Sequence, residues 1–427
     1  MGHQWALRFS RFWAVSLLAL LFSTMRLWWP FNTPAIATYP AVPSVELLTL
    51  PAWCDALFVP LFASAVIVFF SRLGPPRSKI SIGWAIIGFA IAVGIADDQH
   101  RMQPWVLQTG FYSIILACLP SNEALRPIRA IAISIYAYSA AGKLDYQFIH
   151  TVGQDFLGSA VGVVGLETTQ WPESIRTAGA FAFPVSELIV AGLLAWPRTR
   201  RIGGVFAMLL HASLIVLLSP WVMGHSLGVL IWNGVLIGQS WFLFLTPMEP
   251  ALSPLSTSKR AVQPSDAGWR RAIAITTSCV AVSMPLAERL GYWDHWASWA
   301  LYSPHSSRFE LYLPKSQLSR WPESIRDAAL PDQDGDSWQE ISLSSWSLAA
   351  RGVPVVPQAR YQLQLAAQIA EDMSSDLAMR GRLKSVADRW TGKRDDESLF
   401  DRQAITESAQ TYWIGRRRPT KNRELTD

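Results

Sequence analysis

The sequence predicts an all-α polytopic membrane helical bundle of about nine spans, followed by a small α+β extracytoplasmic C-terminal domain. Three observations predict it. Half of the 427 residues are hydrophobic and only 16% are charged, a departure from soluble averages toward the bilayer. Apolar runs long enough, or nearly long enough, to cross a hydrocarbon core recur as far as Leu290. Basic residues collect in alternate loops, as retention of lysine and arginine on the cytoplasmic side demands. The 21 tryptophans suit belts at headgroup level.

The first run, about Phe12 to Trp29, follows Arg8 and Arg11 like a secretory signal. It lacks a small-residue cleavage site and leads into Arg26, Trp28 and Trp29, so it is expected to persist as a membrane helix. Further spans are expected at about Trp53–Phe70, Ile80–Ala96, Trp105–Leu119 and Ile128–Lys143. After a polar loop they resume at Ala178–Trp196, Ile202–Leu218, Met223–Leu245 and Ile273–Leu290. Alternate loops carry Arg72, Arg77 and Lys79; Arg126 and Arg129; Arg198, Arg200 and Arg201; then Lys259, Arg260, Arg270 and Arg271. The intervening loops and span ends hold only Arg26, Arg101, Lys143 and Arg176. This alternation puts the N-terminus in the cytoplasm, Lys143 on the outer side, and the chain in the inner or plasma membrane. The net charge of +5 is thereby explained by topology, and a nucleic-acid partner is excluded. Cys54, Cys118 and Cys279 lie in or beside apolar segments without metal-ligand spacing, so neither a disulfide framework nor a metal site is expected.

Three regions result: 1–295, the membrane domain; 296–395, an extracytoplasmic soluble domain; and 396–427, a polar tail. In the second, alternation over Ser337–Leu348 and Val353–Leu363 predicts strands. A stripe of Leu365, Ile369, Met373 and Leu377 predicts a helix over Gln364–Trp390. Trp171-Pro-Glu-Ser-Ile-Arg176 recurs as Trp321-Pro-Glu-Ser-Ile-Arg326. Proline with glutamate behind it is a good helix start, so two independent starts are expected rather than a duplicated binding element.

Polar residues within the spans are the candidate site. Glu187 and His211 each lie nine residues from the cytoplasmic ends of their spans, Trp196 and Ile202, which puts both about 13 Å deep. Asn233 lies near the middle of the next span. Such a layer is expensive unless its members meet each other or a polar ligand. It is either a hydrogen-bonded trio that fixes packing or a proton relay or ligand pocket. Ahead of the fourth span, in the stretch from Asp97 to Trp105, Arg101 opposes the charge rule and either pairs with Asp97 or Asp98 or holds an anionic group such as a carboxylate. Gln103 and Trp105 beside it, with Arg101 and Asn233, complete the set for substrate contact. Lys143 ends the stretch Tyr138-Ser-Ala-Ala-Gly-Lys-Leu-Asp145. It reads either as a snorkelling side chain paired with Asp145 or as a base whose proton affinity an apolar surround depresses.

That stretch resembles the Tyr-x-x-Ala-Gly-x-Lys-Lys-Leu-Asp segment of the vitamin K-dependent gamma-glutamyl carboxylase family, and the Ser-Gly-x-x-Lys-Leu segment of its bacterial relatives, the HTTM-domain proteins. The resemblance continues in Glu187-Leu-Ile-Val-Ala-Gly-Leu-Leu194, the basic turn Arg198-Thr-Arg-Arg201 and then His211, and spans roughly Trp13 to Leu245. It implies a quinol-dependent oxygenase or carboxylase-type enzyme acting at the extracytoplasmic face. Lys143 would then be the base toward a reduced quinone, with His211 and Glu187 as catalytic partners and an extracytoplasmic protein or small molecule as substrate. One lysine stands where the carboxylase has two, no histidine matches its Trp-Asn-Asn-His segment, and its large lumenal part is much reduced. The alternative is a non-catalytic membrane protein, similar to the DoxX and MauE families, that binds a quinone, a lipid or a protein partner. Paired broken helices and an inverted repeat, the signs of a transporter, are not found in the sequence.

Overall fold

The computed structural model describes residues 2–29, 39–44, 62–63, 66, 77–246, 267–331, 335–413 and 416–417. Its long helices are α1 (Gly2–Ser23), α2 (Arg77–Asp97), α3 (Pro104–Cys118), α4 (Ser121–Lys143), α5 (Glu173–Ala195), α6 (Arg200–Leu217), α7 (Leu227–Ser240) and α8 (Ala267–Ser283). Pro104 occupies the first turn of α3, where its missing N–H costs nothing. A π turn, Trp241–Leu245, continues α7. Arg129 of α4 donates to the Leu243 carbonyl within it at 3.0 Å, which satisfies a group that the wider turn releases.

Among the described residues, five helical segments are long and apolar enough to cross a membrane: Ile80–Asp97, Glu173–Ala195, Arg200–Leu217, Leu227–Leu245 and Gly268–Leu290. Of the four expected spans outside these five, the first overlaps α1, whose helix begins ten residues earlier and takes in Arg8 and Arg11, and the other three differ for specific reasons. Nearly all of Trp53–Phe70 lies outside the described residues. Helix α3 has 15 residues, about 22 Å of rise against a core of about 30 Å. Helix α4 carries Glu123, Arg126, Arg129 and Lys143 and is packed against α5, α8 and α1 rather than apolar on all sides. The outward faces of the spans are themselves apolar, with Phe89 71% and Leu209 60% exposed, as hydrocarbon contact requires. Inside, Trp13, Trp84, Tyr112, Ile128 and Leu194 belong to one buried cluster that runs through the bundle.

The C-terminal domain is an antiparallel sheet in the order β2-β1-β3-β4, formed by β1 (Arg308–Pro314), β2 (Trp338–Ile341), β3 (Arg380–Lys384) and β4 (Asp396–Leu399). Leu311 of β1 pairs with Ile341 on one side and Gly381 on the other. Phe309, Leu311 and Leu313 alternate inward. A Cβ on Gly381 would stand 2.1 Å from the Phe309 ring, so glycine is what lets that ring lie across β3. Three helices complete the domain, α9 (Leu343–Arg351), α10 (Ala359–Asp372) and α11 (Arg402–Gln410), and their apolar faces share the sheet's core.

Four expectations are corrected here. Of the predicted strand 337–348 only Trp338–Ile341 is strand, because Ser342 caps α9 by accepting from Ser345 N–H, and the predicted strand 353–363 is a loop that runs into α10 at Ala359. The predicted helix 364–390 starts at Ala359 and stops at Asp372, and β3 follows. The expected tail is packed as far as Gln410: β4 closes the sheet, and Ile405 of α11 is fully buried.

This domain sits on one end of the bundle. Arg26 donates to Ala349 O at 3.1 Å, Arg351 to Tyr39 O at 3.2 Å and Gln147 to Gly392 O at 2.8 Å. Arg389 donates to Leu144 O at 3.0 Å and Ala141 O at 3.2 Å, which satisfies carbonyls that the C-terminus of α4 leaves open. The helix that carries Lys143 is therefore anchored by the domain above it.

Candidate functional site

A cavity of about 590 Å³ lies at the domain end of the bundle. Its walls come from α4 through α7, the start of α3, the loop 295–304 and the segment Val353–Pro357. Apolar side chains such as Phe156, Leu214, Leu236 and Val355 dominate the lining. A second cavity of about 330 Å³ shares Lys143, Phe156, Glu187, Leu210 and Leu214 with it and continues between α5, α6 and the helix Val152–Gly162. Val163 and Val216, 51% and 53% exposed, stand at its rim.

Lys143 is 3% exposed and donates to Ser139 Oγ at 2.7 Å and to Glu187 Oε1 and Oε2 at 2.7 and 2.8 Å. Three acceptors match the three N–H bonds of an ammonium. The helix creates half of this site, because Tyr136, Ser139 and Lys143 follow at seven and four residues and share one face of α4. Gly142 creates the rest: a Cβ there would meet Ser303 Oγ at 2.6 Å, so glycine lets the loop 300–303 close against α4.

Asp145 is not the partner of Lys143. It caps the helix Tyr146–His150 by accepting from Phe148 N–H at 2.8 Å, and it also accepts from Arg289 at 2.8 Å. Burial would raise its pKa, but His305, the Phe148 N–H and Arg289 outweigh burial and hold the carboxyl below its ordinary range.

The expected polar layer divides in two. Glu187 turns to Lys143, not to His211. His211 Nδ1 lies 2.9 Å from Asn233 Oδ1, and its Nε2 lies 2.8 Å from the Tyr136 hydroxyl. Asn233 Nδ2 donates to Val229 O at 2.9 Å, so Oδ1 is its accepting end. That assigns the proton to His211 Nδ1 and makes Nε2 the acceptor of the Tyr136 O–H. This chain is satisfied at each link and sits in the cavity wall beside the ion pair.

Gln103 and Trp105 also line the cavity. Gln103 is partly spent, donating to His100 O at 2.9 Å. Arg101 is not part of the lining. Its guanidinium pairs with Asp97 at 2.7 Å, reaches the Leu27 carbonyl at 3.3 Å and lies over the Trp28 ring, so of the two roles open to it the structure shows the ion pair with Asp97. Six of the seven candidate residues thus meet at one cavity: Lys143, Glu187, His211, Asn233, Gln103 and Trp105.

Sequence reasoning missed Tyr136, Ser139, Trp232 and the loop residues His295 and Ser303. Helical spacing back from Lys143 points to the first two; the loop residues have no comparable periodic signal. No family model, curated protein or solved structure matches this chain.

Proposed function

We propose that this chain is an integral membrane protein that admits a lipid-soluble molecule of the quinol–quinone class to the cavity and exchanges a proton with it through Lys143 and Glu187. The observation that carries this reading is a buried ion pair set in the wall of an otherwise apolar cavity. Desolvating two charges costs several kcal/mol per ion, and apolar residues of similar volume often serve stability as well or better. A ring hydroxyl on an apolar ligand would find the pair as its polar anchor, while the prenyl-like remainder would fit the lining and the second cavity.

The proton chemistry differs from that of a lone amine. Each N–H of Lys143 is engaged, so the amine accepts a ligand's proton only after passing one of its own to Glu187. A dry surround brings the neutral pair closer in energy to the ion pair, which makes that transfer accessible. Oxygenation or carboxylation at the extracytoplasmic face, the chemistry that the carboxylase resemblance implies, is the reaction class we assign to the site. The charge alternation of the loops, which puts Lys143 toward the outer side, supports it; the single lysine is a departure from the carboxylase pattern.

The test uses the full chain in lipid nanodiscs with a reduced short-chain naphthoquinone. Trp105, Trp232 and Trp296 line the cavity, so saturable quenching of tryptophan fluorescence is expected on binding. Replacing Lys143 by Ala alone should destabilise the fold by about 3–5 kcal/mol, because it strands a buried carboxylate. The double variant Lys143→Met/Glu187→Met should regain most of that stability, yet bind at least about tenfold more weakly and show no oxygen-dependent quinol oxidation. Absence of saturable quenching in the wild type sinks the proposal. Binding without turnover in the wild type would leave a quinone-binding protein and remove the enzyme.

A further inference from the structure

The last membrane helix ends in the 3-10 turn Met284–Leu290, and the chain returns along the cavity wall through 291–305. That return brings Glu288, His295 and His305 together: one ligand atom from each lies within 4.8 Å of the other two. His295 Nδ1 is 2.8 Å from Glu288 Oε1, and His305 Nε2 is 3.1 Å from both Glu288 oxygens. Both histidine side chains are 1% exposed and Glu288 is 10% exposed.

We propose that Glu288, His295 and His305 form a binding site for a divalent first-row transition-metal ion of the Zn²⁺ class, at the junction of the last membrane helix and the C-terminal domain. The donor set is two imidazoles and a carboxylate, which borderline metals accept. Tetrahedral bonds of about 2.0–2.1 Å set ligand atoms about 3.3 Å apart, so the three side chains need only small shifts to admit an ion.

Independent support comes from what stands behind His305. A ligating histidine is oriented by a carboxylate or backbone carbonyl at its other nitrogen. His305 Nδ1 is 3.1 Å from Asp145 Oδ2, which Arg289 in turn holds at 2.8 Å. The loop between the histidines is also held in a costly shape, with Trp299 and Tyr302 both left-handed at φ 58° and 57°. Such residues cluster where a site is preorganised. Three protein ligands leave a position open, and one of them, His295, lines the cavity that Lys143 also lines. This site stands apart from the quinol reading and survives its failure.

The full chain in nanodiscs, stripped with a chelator, is titrated with Zn²⁺ by calorimetry and with Co²⁺ by visible absorption. One equivalent per chain, a Co²⁺ spectrum of four-coordinate intensity and a melting temperature raised by Zn²⁺ are expected. His295→Gln and His305→Gln should each weaken Zn²⁺ binding at least about 100-fold, and Asp145→Asn about 10–100-fold with stoichiometry kept. His150→Gln, a histidine outside the cluster, should change nothing. A folded wild type that binds no stoichiometric Zn²⁺ or Co²⁺ overturns the proposal without any variant. Binding that is unchanged in both histidine variants overturns it as well.

Discussion

Burying a charge at the junction between bundle and domain is tolerable only where neighbours answer it, and His100 shows the opposite solution. It is fully buried, stacks on Tyr39, and contacts Pro354 O and Ser347 Oγ at 3.1 Å each. Burial is the main force that lowers its pKa from 6.5 to about 4; Asp98 opposes this, while Arg351 and Arg101 add to it. The folded state therefore keeps His100 neutral where the unfolded chain, with its pKa near 6.5, takes up a proton. Its stability is fully present above about pH 6.5 and is lost as pH falls toward about 4, by on the order of 3 kcal/mol in all. Melting curves from pH 7 to 4.5 should show this loss, and His100→Asn should flatten it. Residue identities and depth were legible in the chain here, partners were not. The depth of Glu187 and His211 follows from counting along two helices. Which way each side chain faces depends on how those helices are rotated, and that placed Glu187 on Lys143 and His211 on Asn233.

The helix starts marked by proline were legible in the chain, while the expected starts at Phe12, Ile128 and Ile273 fall six to ten residues inside their helices. Pro172 and Pro322 have the same backbone, φ −52° and ψ 142°, and each carbonyl accepts from the third and fourth residues after it. The two copies of Trp-Pro-Glu-Ser-Ile-Arg are thus one local device used twice. Their surroundings differ: Ile325 is 1% exposed and Ile175 is 53% exposed. One copy opens a 23-residue helix and the other a single turn of four, so nothing beyond the start is shared. Close approaches of elements were less legible, because a glycine does not announce its neighbour. At Gly142 the neighbour is Ser303. Gly142→Val should push the loop 300–303 off α4 and cost about 1–3 kcal/mol by overpacking. The stability loss is measurable by thermal melting, and Gly142→Ala should cost less because the Ser303 hydroxyl can rotate away.

For the whole molecule, the two ends of the bundle are chemically distinct. The C-terminal domain joins Arg26, Tyr39, Asp98–Gln103, Leu144 and Gln147 at one end, while the basic turn Arg198–Arg201 lies between α5 and α6 at the other. The charge rule leads us to expect that turn in the cytoplasm and the domain outside. Labelling of intact spheroplasts with an impermeant maleimide should therefore modify Trp390→Cys at once and Arg198→Cys only after permeabilisation, in a background lacking the native cysteines. The reverse order would invert the orientation.

The sequence by itself determined that the chain carries several helices apolar enough to cross a membrane, where the proline-led helices begin, and which polar residues lie within the apolar runs. Composition, proline and apolar run length are local properties, and local backbone chemistry obeys them. The tertiary structure alone decided that Lys143 answers Glu187, and it selected Asp97 among the partners the sequence left open to Arg101. It also decided that Glu288, His295 and His305 converge although they stand seven and then ten residues apart in a chain without regular period. Pairing of buried charges depends on helix rotation and on loops that return from distant sequence, and neither leaves a periodic trace in the chain.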